Sequence, residues 1–230
     1  MIELIDRKKI FESAQNLTFE IAHIQNDMFE DDPDLFESEQ DRIEYGEMFD
    51  LKDLKPKKVN KFYKVISFDH SELQTYTPRL TNILLEFLKE LQVDKLFVIS
   101  HLKLNFFGAN LKHSYTPIKK AYKKLENIVK SRNYDEAFAI DREDLTEFIE
   151  IAFWIERCDA SAPEFIFFHD VKDRFSFYLC KEGNIHIIEY NKEIITPTIL
   201  QNNKLYQVEE RCLDKFGNGK IEGRITASRK

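Results

Sequence analysis

Glu164-Phe165-Ile166-Phe167-Phe168-His169-Asp170-Val171-Lys172-Asp173-Arg174-Phe175-Ser176-Phe177-Tyr178-Leu179-Cys180-Lys181-Glu182-Gly183-Asn184-Ile185-His186-Ile187-Ile188-Glu189-Tyr190 holds three β-rich runs divided by two polar turns. Phe165 to Phe168, Arg174 to Cys180 and Ile185 to Tyr190 predict an antiparallel meander, because Asp170 to Asp173 and Lys181 to Asn184 are turn-forming. In the simplest register His169 lies opposite Arg174 and Cys180 opposite Ile185. Phe168, Phe175 and Tyr190 then share a face with Ile166, Phe177 and Ile188, and Phe165, Tyr178 and Ile187 occupy the other. Both faces are apolar, so the meander is expected at the centre of a sheet covered on both sides.

Upstream of it the period changes from two to 3.6. Leu80, Ile83, Leu84, Phe87, Leu88 and Leu91 make the apolar stripe of a core-facing helix, with Thr77 as the expected N-cap and Pro78 in the first turn. Thr116-Pro117 opens a second helix with Ile118, Ala121, Tyr122, Leu125, Ile128 and Val129 inward. A third follows Asp141, with Leu145, Phe148, Ile149, Ala152 and Ile155 inward. Each helix leads into a strand-like run, at Lys95 to Ser100, Ala137 to Ile140 and Phe165 to Phe168, and Phe62 to Phe68 reads as a further strand. The expected fold is α+β, with helix–strand units packed around a mixed sheet that ends in the three-stranded meander.

Residues 1–60 read as an acidic, aromatic-containing N-terminal arm packed on the body, residues 61–216 as a single domain, and residues 217–230 as a flexible tail. Ile221-Glu222-Gly223-Arg224 resembles the cleavage sequence used to remove expression tags, so the tail is set aside. Between Asp27 and Asp53 twelve acids stand against Arg42 and Lys52, which exceeds the net charge of −7 of the whole 230-residue chain.

Several function classes are disfavoured by composition. Six glycines, three of them in the last fourteen residues, leave none of the clustered glycines that phosphate-cradling loops and nucleophile elbows require. Cys158, Cys180 and Cys212 are an odd number at long spacings, which fits a reducing compartment; with no export signal at the start, a cytoplasmic location is expected. No metal is expected, since no CxxC or HxxxH pair exists and His169 and His186 fall at opposite ends of the meander, about 17 Å apart. Asp31-Asp32-Pro33-Asp34 lacks the glycine of a calcium loop. No cofactor is expected either.

Two surfaces remain as candidates. The expected register gathers Arg157, Asp159, Ser161, Glu164, Lys181, Asn184 and His186 at one rim of the sheet. There Arg157 and Lys181 could hold a polar or anionic ligand and His186 could transfer a proton. The second helix carries Lys119, Lys120, Lys123 and Lys124 outward, while Glu30, Asp31, Asp32 and Asp34 belong to the acidic arm. The arm could lie across that helix, or either could recruit a partner of opposite charge. The leading expectation is a non-catalytic, immunity-type or regulatory module that binds a protein partner through this charge asymmetry. A small-molecule enzyme or binding protein at the rim is the alternative, and nucleic-acid binding by helix 117–132 a weaker one, since the whole chain carries −7, the lysine patch shows no clear interleaved aromatics or base readers, and no DNA-binding pattern surrounds it.

Overall fold

The computed structural model describes residues 1–31, 38, 40, 43, 46–55, 57–108, 113–208, 212 and 215–216. Among them are six α-helices and eight strands: β1 (Ile2–Ile5), α1 (Arg7–Ser13), α2 (Gln15–Asp31), β2 (Lys61–Ser67), α3 (Leu73–Glu90), β3 (Lys95–Ser100), α4 (Thr116–Val129), β4 (Ala137–Asp141), α5 (Leu145–Cys158), β5 (Ile166–Asp170), β6 (Phe175–Leu179), β7 (Ile185–Tyr190), α6 (Pro197–Asn202) and β8 (Tyr206–Val208). The strands form one sheet in the order β1-β4-β3-β5-β6-β7-β2-β8. The α+β class and the β5-β6-β7 meander are present, and no described helix is long and apolar enough to cross a membrane.

The sheet is entirely antiparallel, which corrects the expected mixed arrangement. Alternating helices and strands suggest parallel crossovers, but β3 and β4 are antiparallel neighbours. The chain between them must leave and re-enter the sheet at the same end, so the loop from His101 and helix α4 make an out-and-back excursion.

Strand alternation divides the interior into two cores. On one face Leu96, Val98, Phe138, Ile140, Ile166, Phe168, Phe175, Phe177, Ile185 and Ile187 pack beneath α3, α4 and α5. On the other, Ile99, Ala137, Phe167, Ile188 and Tyr190 meet Ile10, Ala14, Leu17 and Ile21 of α1 and α2. The segment read as an arm thus opens with a strand of the sheet and continues as two helices that cover it. At the start of α2, Asn16 and Leu17 donate backbone N–H groups to the Asp173 carboxylate at 2.9 and 3.4 Å, tying the helix to the β5–β6 turn.

Three local details differ from the expectation. In β5–β6, His169 pairs with Ser176 and Phe168 with Phe177, where the simplest register sets Arg174 opposite His169, a shift of two that keeps the faces. The other two concern α3 and the next register. Helix α3 begins at Leu73, with Glu72 at its N-cap, and Pro78 lies inside it. Thr75 Oγ1 donates to the Glu72 carboxylate at 2.8 Å and closes the first turn. The carbonyl deprived of a partner by Pro78 belongs to exposed Gln74, where water can satisfy it. The third difference is the β6–β7 register, in which Leu179 pairs with Ile185 and Tyr178 with His186. Cys180 N donates to Asn184 O at 3.0 Å and Gly183 N to Cys180 O at 2.8 Å, so the turn has three residues, with Gly183 at φ +85°. The expected four-residue turn places β7 one residue out of step, and a slip of one exchanges its faces. Ile188 and Tyr190 therefore lie under α1 and α2, whereas Ile187 joins Phe177 under the other helices.

Candidate functional site

The seven rim residues do not form one site; the structure divides them in two. Arg157 is buried, donates to Lys181 O and places its guanidinium 4.6 Å from the centre of the Phe216 ring. Lys181, Asn184 and His186 belong to this same hairpin end. Asn184 donates its backbone N–H to Cys180 Sγ at 3.4 Å. Burial pushes the His186 imidazole below its usual pKa, favouring the neutral ring, which stacks 4.6 Å from Tyr178. Glu164 is exposed. Arg157 therefore braces the turn, and its side chain is committed to the protein.

Asp159 and Ser161 turn toward α4. Asp159 ends α5, and its Oδ1 accepts from Ser161 N at 2.9 Å and Ser161 Oγ at 2.6 Å. Its Oδ2 accepts from the Tyr122 hydroxyl at 2.7 Å and lies 3.0 Å from His113 Nε2. Burial and the Asp159 carboxylate push the Tyr122 phenol up, so it stays a neutral donor. His113 is almost wholly enclosed, with a side-chain exposure of 2%, and neither ring nitrogen makes a hydrogen bond among the described residues, although Nε2 lies 3.0 Å from the Asp159 carboxylate. Nδ1 is thus available to a ligand, because an orphaned buried polar atom is otherwise costly.

The chain reaches this arrangement through Gly108, whose φ is +61°. A Cβ there would stand 2.6 Å from Ser161 Oγ and 2.9 Å from Asp159 Oδ2, so only glycine lets the loop approach the carboxylate so closely. Phe107 then stacks 5.7 Å from Tyr122. Outside the rings a cavity of about 340 Å³ is lined by Phe107, His113, Lys119, Tyr122, Lys123, Glu126 and Arg132. Arg132 is held by Glu126 through two bonds of 3.0 Å, whereas Lys119 and Lys123 are exposed and pair with no acid among the described residues. The arrangement offers an aromatic wall, two free cations at the mouth and a carboxylate-backed imidazole at the base.

Of the expected partner surface, Lys119, Lys120 and Lys123 face solvent, but Lys124 pairs with Glu150 at 2.7 Å. Glu30 and Asp31 end α2, and Asp32 and Asp34 lie outside the described residues. The described part of the acidic stretch is on the α1/α2 face: Asp50 binds Arg7 and Gln25, and Leu51 packs with that core. The sheet separates it from α4, so these residues do not lie across the basic helix.

Two other clusters carry catalytic or ligating side chains. Ser176 Oγ is 2.9 Å from His169 Nδ1, and His169 Nε2 is 2.9 Å from Asp173 Oδ1, distances that match a nucleophilic triad. Ser176 and His169 have no exposed surface, and Ser176 also binds the Tyr190 hydroxyl at 2.8 Å, so the chain is a polar strut within the core. At the β6–β7 turn, Cys180, His186 and Cys212 bring their ligand atoms within 4.8 Å of one another. Cys158 is buried apart from them in the main core.

His113 has no partner pattern in the sequence: its neighbours Tyr122 and Asp159 lie nine and 46 residues away in the chain. The available signal was the Gly108 loop followed by the lysine-bearing helix. No family model, curated protein or solved structure matches the chain.

Proposed function

We propose that this protein binds a small anionic ligand in the cavity beside α4, with Lys119 and Lys123 attracting its charge and His113 meeting it at the base. The observation that carries this reading is His113 itself: a buried imidazole with neither nitrogen hydrogen-bonded among the described residues, 3.0 Å from the Asp159 carboxylate, lining a cavity with a basic mouth. The Asp159 carboxylate places negative charge 3.0 Å from Nε2, and Nδ1 can meet a ligand hydroxyl or oxygen as donor or acceptor according to tautomer. The cavity suits a ligand of metabolite size, and its Phe107–Tyr122 wall suits a flat or apolar portion. This relocates the small-molecule alternative from Arg157 and His186 to Asp159 and a histidine outside the rim.

The test is calorimetric titration with inorganic pyrophosphate, a nucleoside monophosphate and citrate, followed by imidazole NMR of His113. Saturable one-to-one binding that shifts the His113 resonances, and is lost when Lys119 and Lys123 become Glu, supports the reading. Binding that leaves His113 unshifted, or no binding by any of the three, counts against it.

The exposed row Lys119, Lys120 and Lys123 favours a second reading, in which the helix face docks an acidic protein. That association would weaken on changing Lys120, which does not line the cavity, whereas ligand binding would tolerate the change.

A further inference from the structure

We infer that Cys180, His186 and Cys212 form a zinc site, separate from the α4 cavity, that fastens the segment around Cys212 to the β6–β7 hairpin. Two sulfurs and one imidazole nitrogen are the donors that zinc prefers, and a thiolate-rich set disfavours magnesium and calcium. The spacing also fits. With Zn–S bonds of about 2.3 Å, two sulfurs on a tetrahedral ion stand about 3.8 Å apart; Cys180 Sγ and Cys212 Sγ are separated by 3.9 Å. His186 Nε2 is 3.1 Å from Cys212 Sγ, a few tenths of an ångström inside the N···S edge of about 3.5 Å in such a tetrahedron, and all three ligand atoms fall within 4.8 Å of one another. At 3.9 Å the sulfurs are far beyond the length of a disulfide, about 2.05 Å.

The surroundings supply the support that metal ligands need. Asn184 directs its backbone N–H and its side-chain amide at Cys180 Sγ, at 3.4 and 3.7 Å, two donors that a metal-bound sulfur would keep. Tyr178 stacks against His186 with an angle of 12° between the rings and fixes its plane. Lys215 and Phe216 are seated against the fold: Lys215 N donates to Glu182 O at 3.3 Å, and Phe216 packs edge-on to Tyr76 at 5.1 Å. A Cβ on Gly183 would come within 2.8 Å of Phe216, so this contact is close. Three ligands from one hairpin and one distant segment are thereby delivered to a single point without a CxxC or HxxxH repeat, which is why spacing in the sequence gives no sign of them.

Fully reduced, metal-free full-length protein is titrated with cobalt(II) and then zinc, with metal content measured by mass spectrometry. The expected result is one ion per chain, a near-ultraviolet thiolate-to-cobalt band displaced by zinc, and affinity at least tenfold weaker in Cys212→Ser and in His186→Ala. Cys158→Ser should bind as the parent does. Absence of the thiolate band in the reduced parent protein overturns the site, whatever the variants do. So does a chain that takes up no metal when reduced but oxidises to a Cys180–Cys212 disulfide. Should Cys212→Ser fail to fold by near-ultraviolet circular dichroism, the cobalt spectrum and stoichiometry of the parent decide the matter alone.

Discussion

The Arg7 guanidinium grips the Asp50 carboxylate through two bonds, Nε to Oδ2 at 2.7 Å and a second nitrogen to Oδ1 at 3.2 Å, across 43 residues of chain. The same guanidinium donates to Ser100 O at 2.8 Å, so one buried cation joins α1, the acidic stretch and the end of β3. Gln25 adds a bond to Asp50 at 2.9 Å. At least one acid of that stretch, though itself partly exposed, is therefore a fastening to a buried cation.

Replacing Asp50 with Ala strands a guanidinium whose side chain is only 2% exposed. A loss of about 3 kcal/mol is expected, because a buried charge without its partner costs far more than the pair contributes. Urea denaturation measures it, with exposed Glu47→Ala as the control at within about 0.5 kcal/mol of the parent. Equal effects of the two substitutions would refute the role given to Arg7.

His101 governs acid stability. Its Nδ1 accepts from Phe165 N–H at 3.3 Å, and burial, with help from Arg7, pushes the imidazole down to about 4. The unfolded chain binds this proton near the ordinary 6.5, so stability is complete above that pH and is lost as pH falls toward 4. By pH 5 the cost is about 2 kcal/mol. His101→Gln keeps an acceptor and removes the titration; its unfolding free energy should change less between pH 7 and pH 5 than that of the parent by this amount. An unchanged difference would place the acid lability elsewhere.

Gly108→Ala should damage the cavity and the fold together. The added methyl falls on Ser161 Oγ and Asp159 Oδ2 at a left-handed φ, and a loss of about 1–3 kcal/mol is expected. Because the carboxylate behind His113 must move, the affinity for pyrophosphate should fall as well. Thermal melting and titration on the same sample check both, and an undisturbed melting point would mean that the loop yields freely.

Glu189 has no exposed surface, yet it accepts from Lys64 Nζ at 2.5 Å, Ile194 N at 2.5 Å and Ile195 N at 2.7 Å. Glu189→Ala leaves a cation and two backbone donors without this acceptor, and about 3 kcal/mol or more should be lost. Hydrogen exchange of the Ile194 and Ile195 amides should accelerate with it. Retained protection at those two amides would show that other groups satisfy them.

Local pattern made the three long helices and the meander legible, because each has enough residues to display its period. Strand β1 has four residues and β8 three, too few for alternation to be distinguished from chance. Helices α1 and α2 were hidden for a different reason: α2 mixes Gln, Asn, Thr and His with its apolar residues, and much of its fixation comes from Asp173, 157 residues away. The β7 faces hinged on whether Lys181 to Asn184 turn in three residues or four, a backbone choice made by Gly183 and the packing of Phe216. Asp159 was legible as polar and close to a sheet end, but its pairing with His113 depends on a loop whose path only the assembled fold defines.

The strand order also has a consequence for synthesis of the chain. Strand β2 is made early, yet its two neighbours are β7 and β8, which begin at Ile185 and Tyr206. During translation β2 must wait, unpaired on both sides, until more than a hundred further residues have emerged from the ribosome. The β3–β4 pair can form long before, so the sheet is completed last where β2 joins β7 and then β8. A ribosome stalled before Tyr190 would thus carry a half-built sheet with an open edge, the stage at which a chaperone would have most to protect.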